Sequence, residues 1–190
     1  MRFSIGLDLG QINDYTAIAI IETLDSEGGH DMFHLRHLER MRISYPDVAI
    51  RVKTLMESEQ LKDKSTLVVD ATGVGLPVVE MLVRSGVYYT VPIIITGGTN
   101  ENYENGIHYV PKRNLVSLTQ IMFQEGRLKI AKMPDTPTLV EELVNFKVKI
   151  TDNAHDTYGG WREGIHDDLV LAVALALWDA NRPESVIFLV

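Results

Sequence analysis

The stretch that decides the fold is residues 4–22, SIGLDLGQINDYTAIAIIE. Apolar side chains alternate through its first part, turn-forming residues occupy 10–14, and a second β-rich run follows. This pattern predicts two antiparallel strands, over 3–9 and 15–22. Asp8 does not fit the first strand, because a charge in an apolar sheet is unfavourable unless something compensates it. The rest of the chain has to supply that compensation.

The remaining pattern predicts a third antiparallel strand over 32–39 and then alternating strands and helices. Helices are predicted over 46–61, 77–84, 112–125, 136–146 and 167–181, strands over 66–70, 90–95 and 107–110, and a short edge segment over 127–131. Residues 97–106 are predicted to form a mobile loop and 147–164 a projecting hairpin. Three antiparallel strands followed by alternating elements predict an α/β fold, a mixed sheet flanked by helices.

Composition sets further bounds. A chain of 190 residues is long enough for one domain with its own core, and the absence of cysteine excludes disulfides and thiolate metal sites. No apolar run has transmembrane length and no signal peptide is visible, so a soluble, intracellular protein without a membrane partner is expected. The net charge of −8 argues against a nucleic-acid partner, but basic residues cluster locally, and bound cations would change the effective charge.

Three further acidic residues are, like Asp8, unexpected beside apolar elements. Asp70 ends the apolar run TLVVD, and Asp167 and Asp168 begin the most hydrophobic helix. If the final helix packs across the sheet, these carboxylates meet, and a hard divalent cation with oxygen ligands would compensate their repulsion. Two such ions would support phosphodiester hydrolysis with water as the nucleophile. The alternative is structural, since Asp is common in turns and Asp167 could simply cap the helix.

Three stretches resemble a known family. IGLDLG (5–10), VVDATGVG (68–75) and HDDLVLAVALALW (166–178) are similar, in this order, to the nuclease domain of the large terminase subunit of tailed bacteriophages. The resemblance covers essentially the whole chain and implies a ribonuclease-H-like fold. It implies a metal-dependent endonuclease that cuts double-stranded concatemeric viral DNA during genome packaging, with Mg²⁺ or Mn²⁺ as the cofactor and two ions expected.

The resemblance also implies roles for single residues. Asp8 matches the ligand on the first strand, Asp70 the acid on the fourth strand, and Asp168 the acid on the last helix. Asp167 is its neighbour, and which of the two binds the metal more directly is left open. His166 could lie behind the ligands or only begin the helix.

One departure from the family concerns the rest of the motor. A complete large terminase subunit begins with an ATPase domain, and this sequence has no G-x-x-x-x-G-K-[ST] phosphate loop. Residues 1–190 are therefore expected to be a single nuclease domain, the C-terminal part of a larger packaging protein. The implied partners of that protein are double-stranded DNA, the ATPase domain, the small terminase subunit and the portal. The isolated domain is expected to be a monomer, in the host cytoplasm during viral assembly.

Basic residues offer candidate DNA contacts. Lys112 and Arg113 open a helix, and Lys147 and Lys149 alternate along the predicted hairpin, where Arg162 could join them beside a DNA groove. Solvated helix faces explain such residues equally simply.

Three other functions stay open at this point. One is a nucleotide-binding lobe of the sugar-kinase and actin superfamily, which also begins with a GxDxG strand. Another is a Holliday-junction resolvase with the same chemistry, and the third is a packaging module without catalysis.

Overall fold

The computed structural model describes residues 1–10, 14–26, 29–73, 76–152 and 167–182, with the backbone alone for 145–152. Eight strands and five helices occur in these ranges. They are β1 (Arg2–Asp8), β2 (Thr16–Leu24), β3 (Met32–Met41), α1 (Tyr45–Met56), β4 (Ser65–Asp70), α2 (Leu76–Arg84), β5 (Thr90–Thr96), β6 (Asn102–Glu104), β7 (Ile107–Pro111), α3 (Lys112–Gln124), β8 (Leu128–Ile130), α4 (Thr136–Asp152) and α5 (Asp168–Ala180).

All eight strands form one mixed sheet in the order β6-β7-β5-β4-β1-β2-β3-β8. The first three strands are an antiparallel meander, and β4, β5 and β7 extend it in parallel from β1. Strand β8 pairs in parallel with β3 at the far edge. The predicted fold class, a mixed sheet with antiparallel and parallel strands flanked by helices, is confirmed.

Helices cover both faces of this sheet. On one face Ile5 and Leu7 of β1 pack with the buried sides of α1 and α2. On the other face α5 crosses the sheet and is buried on nearly every side, with α3 and α4 beside it. The alternation of β1 places Gly6 and Asp8 on this second face. The compact centre of the fold is therefore the contact between β1 and α5.

Several boundaries differ from the sequence predictions. Helix α1 ends at Met56, not at residue 61, and turns continue to Lys64; Asp63 within them has a positive φ of 59°. The predicted loop 97–106 contains β6, which pairs with β7 through a two-residue turn. That turn is Asn105-Gly106, and both residues have positive φ, the backbone that Asn-Gly hairpin turns require.

The predicted hairpin over 147–164 is wrong in its first part. Helix α4 continues to Asp152, so residues 147–152 are helical and not extended. A hydrophobic helical period that weakens at a polar end looks like alternation over a short window, which explains the error. Residues 153–164 lie outside the described residues.

Candidate metal centre

Asp8 and Asp70 lie side by side where β1 and β4 end. Strand β1 pairs with β4 in parallel up to Leu7 and Val69, so the two acids occupy the next positions of neighbouring strands. Val68 packs against α5, and the alternation of β4 therefore puts Asp70 on the α5 face together with Asp8.

Helix α5 brings two more acids to this edge. Asp167 is the residue before the helix and makes no side-chain cap hydrogen bond, and Asp168 is its first residue. Asp168 is only 9% exposed. The N-terminus of a helix carries partial positive charge, which favours carboxylates there. The predicted convergence of the last helix on the ends of the first and fourth strands is thus observed.

The four carboxylates interact electrostatically. Burial raises the pKa of Asp8 well above its usual value, and the charges of Asp70, Asp168 and Asp167 raise it further. Burial also raises the pKa of Asp70, against hydrogen bonds from Thr72 that lower it. The amide of Thr72 donates to Asp70 Oδ1 at 2.8 Å. The site therefore holds more negative charge than its surroundings stabilise.

Lys112 supplies part of the missing positive charge. Its Nζ lies 3.2 Å from Asp167 Oδ2, and both side chains are largely buried. Burial lowers the pKa of Lys112, whereas Asp167, Asp8 and Asp70 raise it. The sequence predicted Lys112 as a DNA contact, but the structure places its ammonium group at the acids. Arg113, its neighbour, donates to the backbone carbonyl of Thr99 at 3.1 Å on the exposed surface.

Glu142 and Arg40 complete the site, and the sequence analysis missed both. Glu142 Oε2 accepts hydrogen bonds from the backbone N–H groups of Leu169 and Val170, at 3.0 and 3.1 Å, so α4 caps α5. Arg40 Nη1 lies 3.4 Å from Glu142 Oε1 and 4.0 Å from Asp168 Oδ2. An acid beside Leu139 on the buried side of α4 was the available signal.

Glu142 makes the stability of the protein depend on pH. Burial raises its pKa from 4.5 to about 7, so the folded state binds a proton that the unfolded state has released between these values. The free energy of unfolding is therefore expected to fall by about 2 kcal/mol from pH 5 to pH 8, allowing for solvent screening.

Urea denaturation at several pH values checks this, with Glu142→Gln as the comparison. The variant has no proton to lose, and the titration of the other acids is common to both proteins. The free energy of unfolding of the variant minus that of the wild type is therefore expected to increase with pH. A constant difference between pH 5 and pH 8 would contradict the raised pKa.

The donor set fits a hard divalent cation in its chemistry. Carboxylate oxygens are the ligands that Mg²⁺ and Mn²⁺ take in proteins, and the Lys112 ammonium already stands among them as a cation. Across the described residues, however, no three acidic or histidine side chains lie close enough together to hold an ion directly. Binding a metal would require the acids to draw closer than they now lie.

Comparison with known protein families identifies the family of this chain. A family model described as the terminase RNaseH-like domain matches residues 5–179. The chain belongs to this family. No curated protein matches the sequence significantly.

Two solved structures share the fold of this terminase RNaseH-like domain. The large terminase nuclease from thermophilic phage G20c is 24% identical, with a TM-score of 0.58 over 92% of this chain and 80% of that one. The Mn-soaked terminase nuclease domain of human cytomegalovirus is 14% identical, with a TM-score of 0.56 over 93% and 83%. The predicted resemblance to this family is therefore confirmed.

For the other predicted site residues of the terminase RNaseH-like domain, the structure gives only the backbone, or they lie outside the part of the chain that it describes. Lys147 and Lys149 belong to α4, so the strand alternation that would place them on one side does not apply. Arg162 and His166 lie outside the described residues. Within the described part of the chain, no helix combines the length and apolarity needed to cross a membrane.

Proposed function

We propose that this chain is a divalent-metal-dependent endonuclease that hydrolyses phosphodiester bonds of double-stranded DNA. Its substrate is concatemeric viral DNA, cut during genome packaging, with two Mg²⁺ or Mn²⁺ ions as cofactors. Membership of the terminase RNaseH-like family supports this function over a nucleotide-binding lobe of the sugar-kinase and actin superfamily. A Holliday-junction resolvase, with the same chemistry on branched DNA, is the competing outcome.

The observation that carries the proposal is the accumulation of carboxylates at one edge of the sheet. Asp8 is partly buried beside Asp70 and the two acids of α5, and each of these charges disfavours its ionisation. Lys112 compensates them only in part. A protein gains nothing structural from gathering such charges, whereas a site for divalent cations needs them.

Each residue of the site would have its own role in cleavage. Asp8, Asp70 and Asp168 would hold the metal ions, with Asp167 in support. Bound divalent cations would supply activation of water and stabilisation of charge on the phosphate. Glu142 fixes the N-terminus of α5 through its two backbone contacts and so positions Asp168. Lys112 would exchange Asp167 for a phosphate oxygen when DNA binds, since its ammonium now lies 3.2 Å from Asp167 Oδ2.

The setting proposed for this activity is a packaging motor. The chain would act as the nuclease domain of a larger protein that also has an ATPase domain and works with a small terminase subunit and a portal. By itself the domain would be a monomer, and it would act in the host cytoplasm during viral assembly. Cleavage would require no ATP, since the four acids and the metal ions that they would hold are the groups proposed to hydrolyse the phosphodiester bond.

Cleavage of a supercoiled plasmid tests the function. Nicked and linear products are expected in Mg²⁺ or Mn²⁺ without ATP, and none in Ca²⁺ or EDTA. Mn²⁺ is also expected to raise the melting temperature of the DNA-free protein, because a ligand that binds only the native state stabilises it. A folded protein that cuts nothing in any metal would overturn the proposal. Preferential cutting of a four-way junction over linear duplex would favour the resolvase.

A further inference from the structure

Two arginines at the end of β3 share one aromatic ring. The guanidinium carbons of Arg40 and Arg42 each lie 4.0 Å from the centroid of the Tyr15 ring. Strand pairing explains the arrangement: Thr16 pairs with Met41, so Tyr15 and Arg42 follow at the next opposed positions, just beyond β2 and β3. Tyr15 therefore holds two positive charges close together, which repel one another unless an anion is near.

This cationic pair lies on the same row of the sheet as the acids. Asp8 pairs with Ala17, and Ala17 pairs with Arg40. Arg40 is thus two strands from Asp8, with about 10 Å between their Cα atoms. The Cα atom of Arg42 lies about 7 Å further in the direction of β3, beyond the end of the sheet. Lys112 follows β7 on the opposite side of the acids. Positive charge therefore flanks the acid cluster on both sides.

The two arginines differ in their acidic partners. Arg40 contacts Glu142 and Asp168 and belongs to the site already described. Arg42 is exposed, and no carboxylate of the described residues lies within 4.0 Å of it. Three other exposed or half-exposed arginines do have such partners; these pairs are Arg36 with Glu22, Arg51 with Glu39 and Arg84 with Glu80. Exposed Arg113 donates to a backbone carbonyl instead, and Arg182 lies over the Trp178 ring at the other end of α5. The Arg42 side chain is exposed, and its guanidinium group lies against the Tyr15 ring.

We propose that Arg42, supported by Tyr15, binds the phosphate backbone of the DNA duplex beside the cleavage site. This rests on the proposed function and adds a contact that the metal chemistry does not require. A guanidinium stacked on a ring keeps its planar fork of donors, which matches two phosphate oxygens. The Cα atoms of Asp8 and Arg42 are about 12 Å apart by the strand spacing. Successive phosphates of one DNA strand are about 3.4 Å apart along the helix axis. The contacted phosphate therefore lies within about four nucleotides of the one that is cut.

DNA binding without cleavage tests the proposal. The full chain is titrated onto a fluorescein-labelled linear duplex in Ca²⁺, and fluorescence anisotropy is recorded over a range of NaCl concentrations. Arg42→Gln is expected to raise Kd about 3- to 10-fold and to reduce the slope of log K against log [NaCl] by about 1, as the loss of one phosphate contact does. Tyr15→Leu keeps the charge, so it is expected to raise Kd with little change in slope.

Arg84→Gln is the matched control, because it removes one exposed positive charge from the far end of α2. It is expected to bind as the wild type does. Equal binding and slope for Arg42→Gln and wild type would overturn the proposal even if the wild type cleaves plasmid. A wild type that binds duplex through Arg42 but never cleaves would overturn the nuclease function alone. Equal losses in Arg42→Gln and Arg84→Gln would show a general charge effect and also overturn the Arg42 contact.

Discussion

Asp8→Asn is expected to abolish DNA cleavage and, at the same time, to make the metal-free protein more stable. Cleavage should fall at least about 10³-fold, because a lost metal ligand removes about 4 kcal/mol of transition-state stabilisation. Stability at neutral pH should rise by about 1–2 kcal/mol, or several degrees in Tm, because burial and three neighbouring carboxylates disfavour the charge that Asn lacks. Few substitutions in a folded core increase stability, so this pairing of effects is diagnostic.

The stability gain has a predictable pH dependence. The pKa of Asp8 is raised in the folded state. Above the pKa of unfolded Asp8, the folded protein therefore keeps a proton that the unfolded protein has released, and the wild type loses stability as pH rises. The advantage of Asp8→Asn is therefore expected to be small in acid and larger at pH 8. Thermal melts in EDTA at both ends of this range measure it, alongside plasmid cleavage in Mn²⁺.

Asp63→Asn provides the control for the chemical change. Asp63 is exposed, lies at the opposite end of the sheet before β4, and has a positive φ of 59° that Asn tolerates well. It is expected to leave cleavage and its metal dependence unchanged. Wild-type cleavage by Asp8→Asn would remove Asp8 from the metal ligands. A less stable Asp8→Asn would show that the acids are compensated within the protein, without any metal ion.

The architecture was predictable because local patterns and global packing agree along most of the chain. Alternation identified the meander of β1, β2 and β3, and the apolar run before Asp70 identified a central strand. The apolar composition of α5 indicated a helix buried against the sheet, which is what brings its first residues to Asp8. In each case a single periodicity determined both the element and the face that it buries.

The parts that escaped prediction depend on contacts between distant segments. Glu142 caps a helix that begins 26 positions later, and Arg40 reaches it from a strand about 100 residues earlier. A local pattern could show only that an acid lies beside Leu139 on the buried side of α4, and not which distant groups it contacts. Asn105-Gly106 is different, because this dipeptide is a strong hairpin signal that the polar composition of 97–106 obscured. The roles of Asp167 and Asp168 stay predictions, since both lie at the same helix end.

The close contact between β1 and α5 leads to the second large effect. A Cβ atom on Gly6 would lie 1.9 Å from the carbonyl oxygen of Ala172 and 2.8 Å from the amide nitrogen of Ala176. Both atoms belong to the backbone of α5, so no side-chain rotation can relieve the overlap. Gly6→Ala is expected to reduce the free energy of unfolding by about 3 kcal/mol or more, measured by urea denaturation.

Cleavage should suffer as well, because α5 must move to admit the methyl group and Asp168 begins that helix. A displacement of about 1 Å at reacting groups reduces rates about 100-fold, so a folded Gly6→Ala is expected to be a weak nuclease. Gly98→Ala is the control, since its added Cβ would come no closer than 3.6 Å to any neighbour. Adding Ala172→Gly should not rescue Gly6→Ala, because the clash is with the Ala172 carbonyl and not with its methyl group. Rescue by that second substitution, or stability within about 1 kcal/mol of wild type, would show that α5 adjusts easily, contrary to the strain expected of an overpacked core.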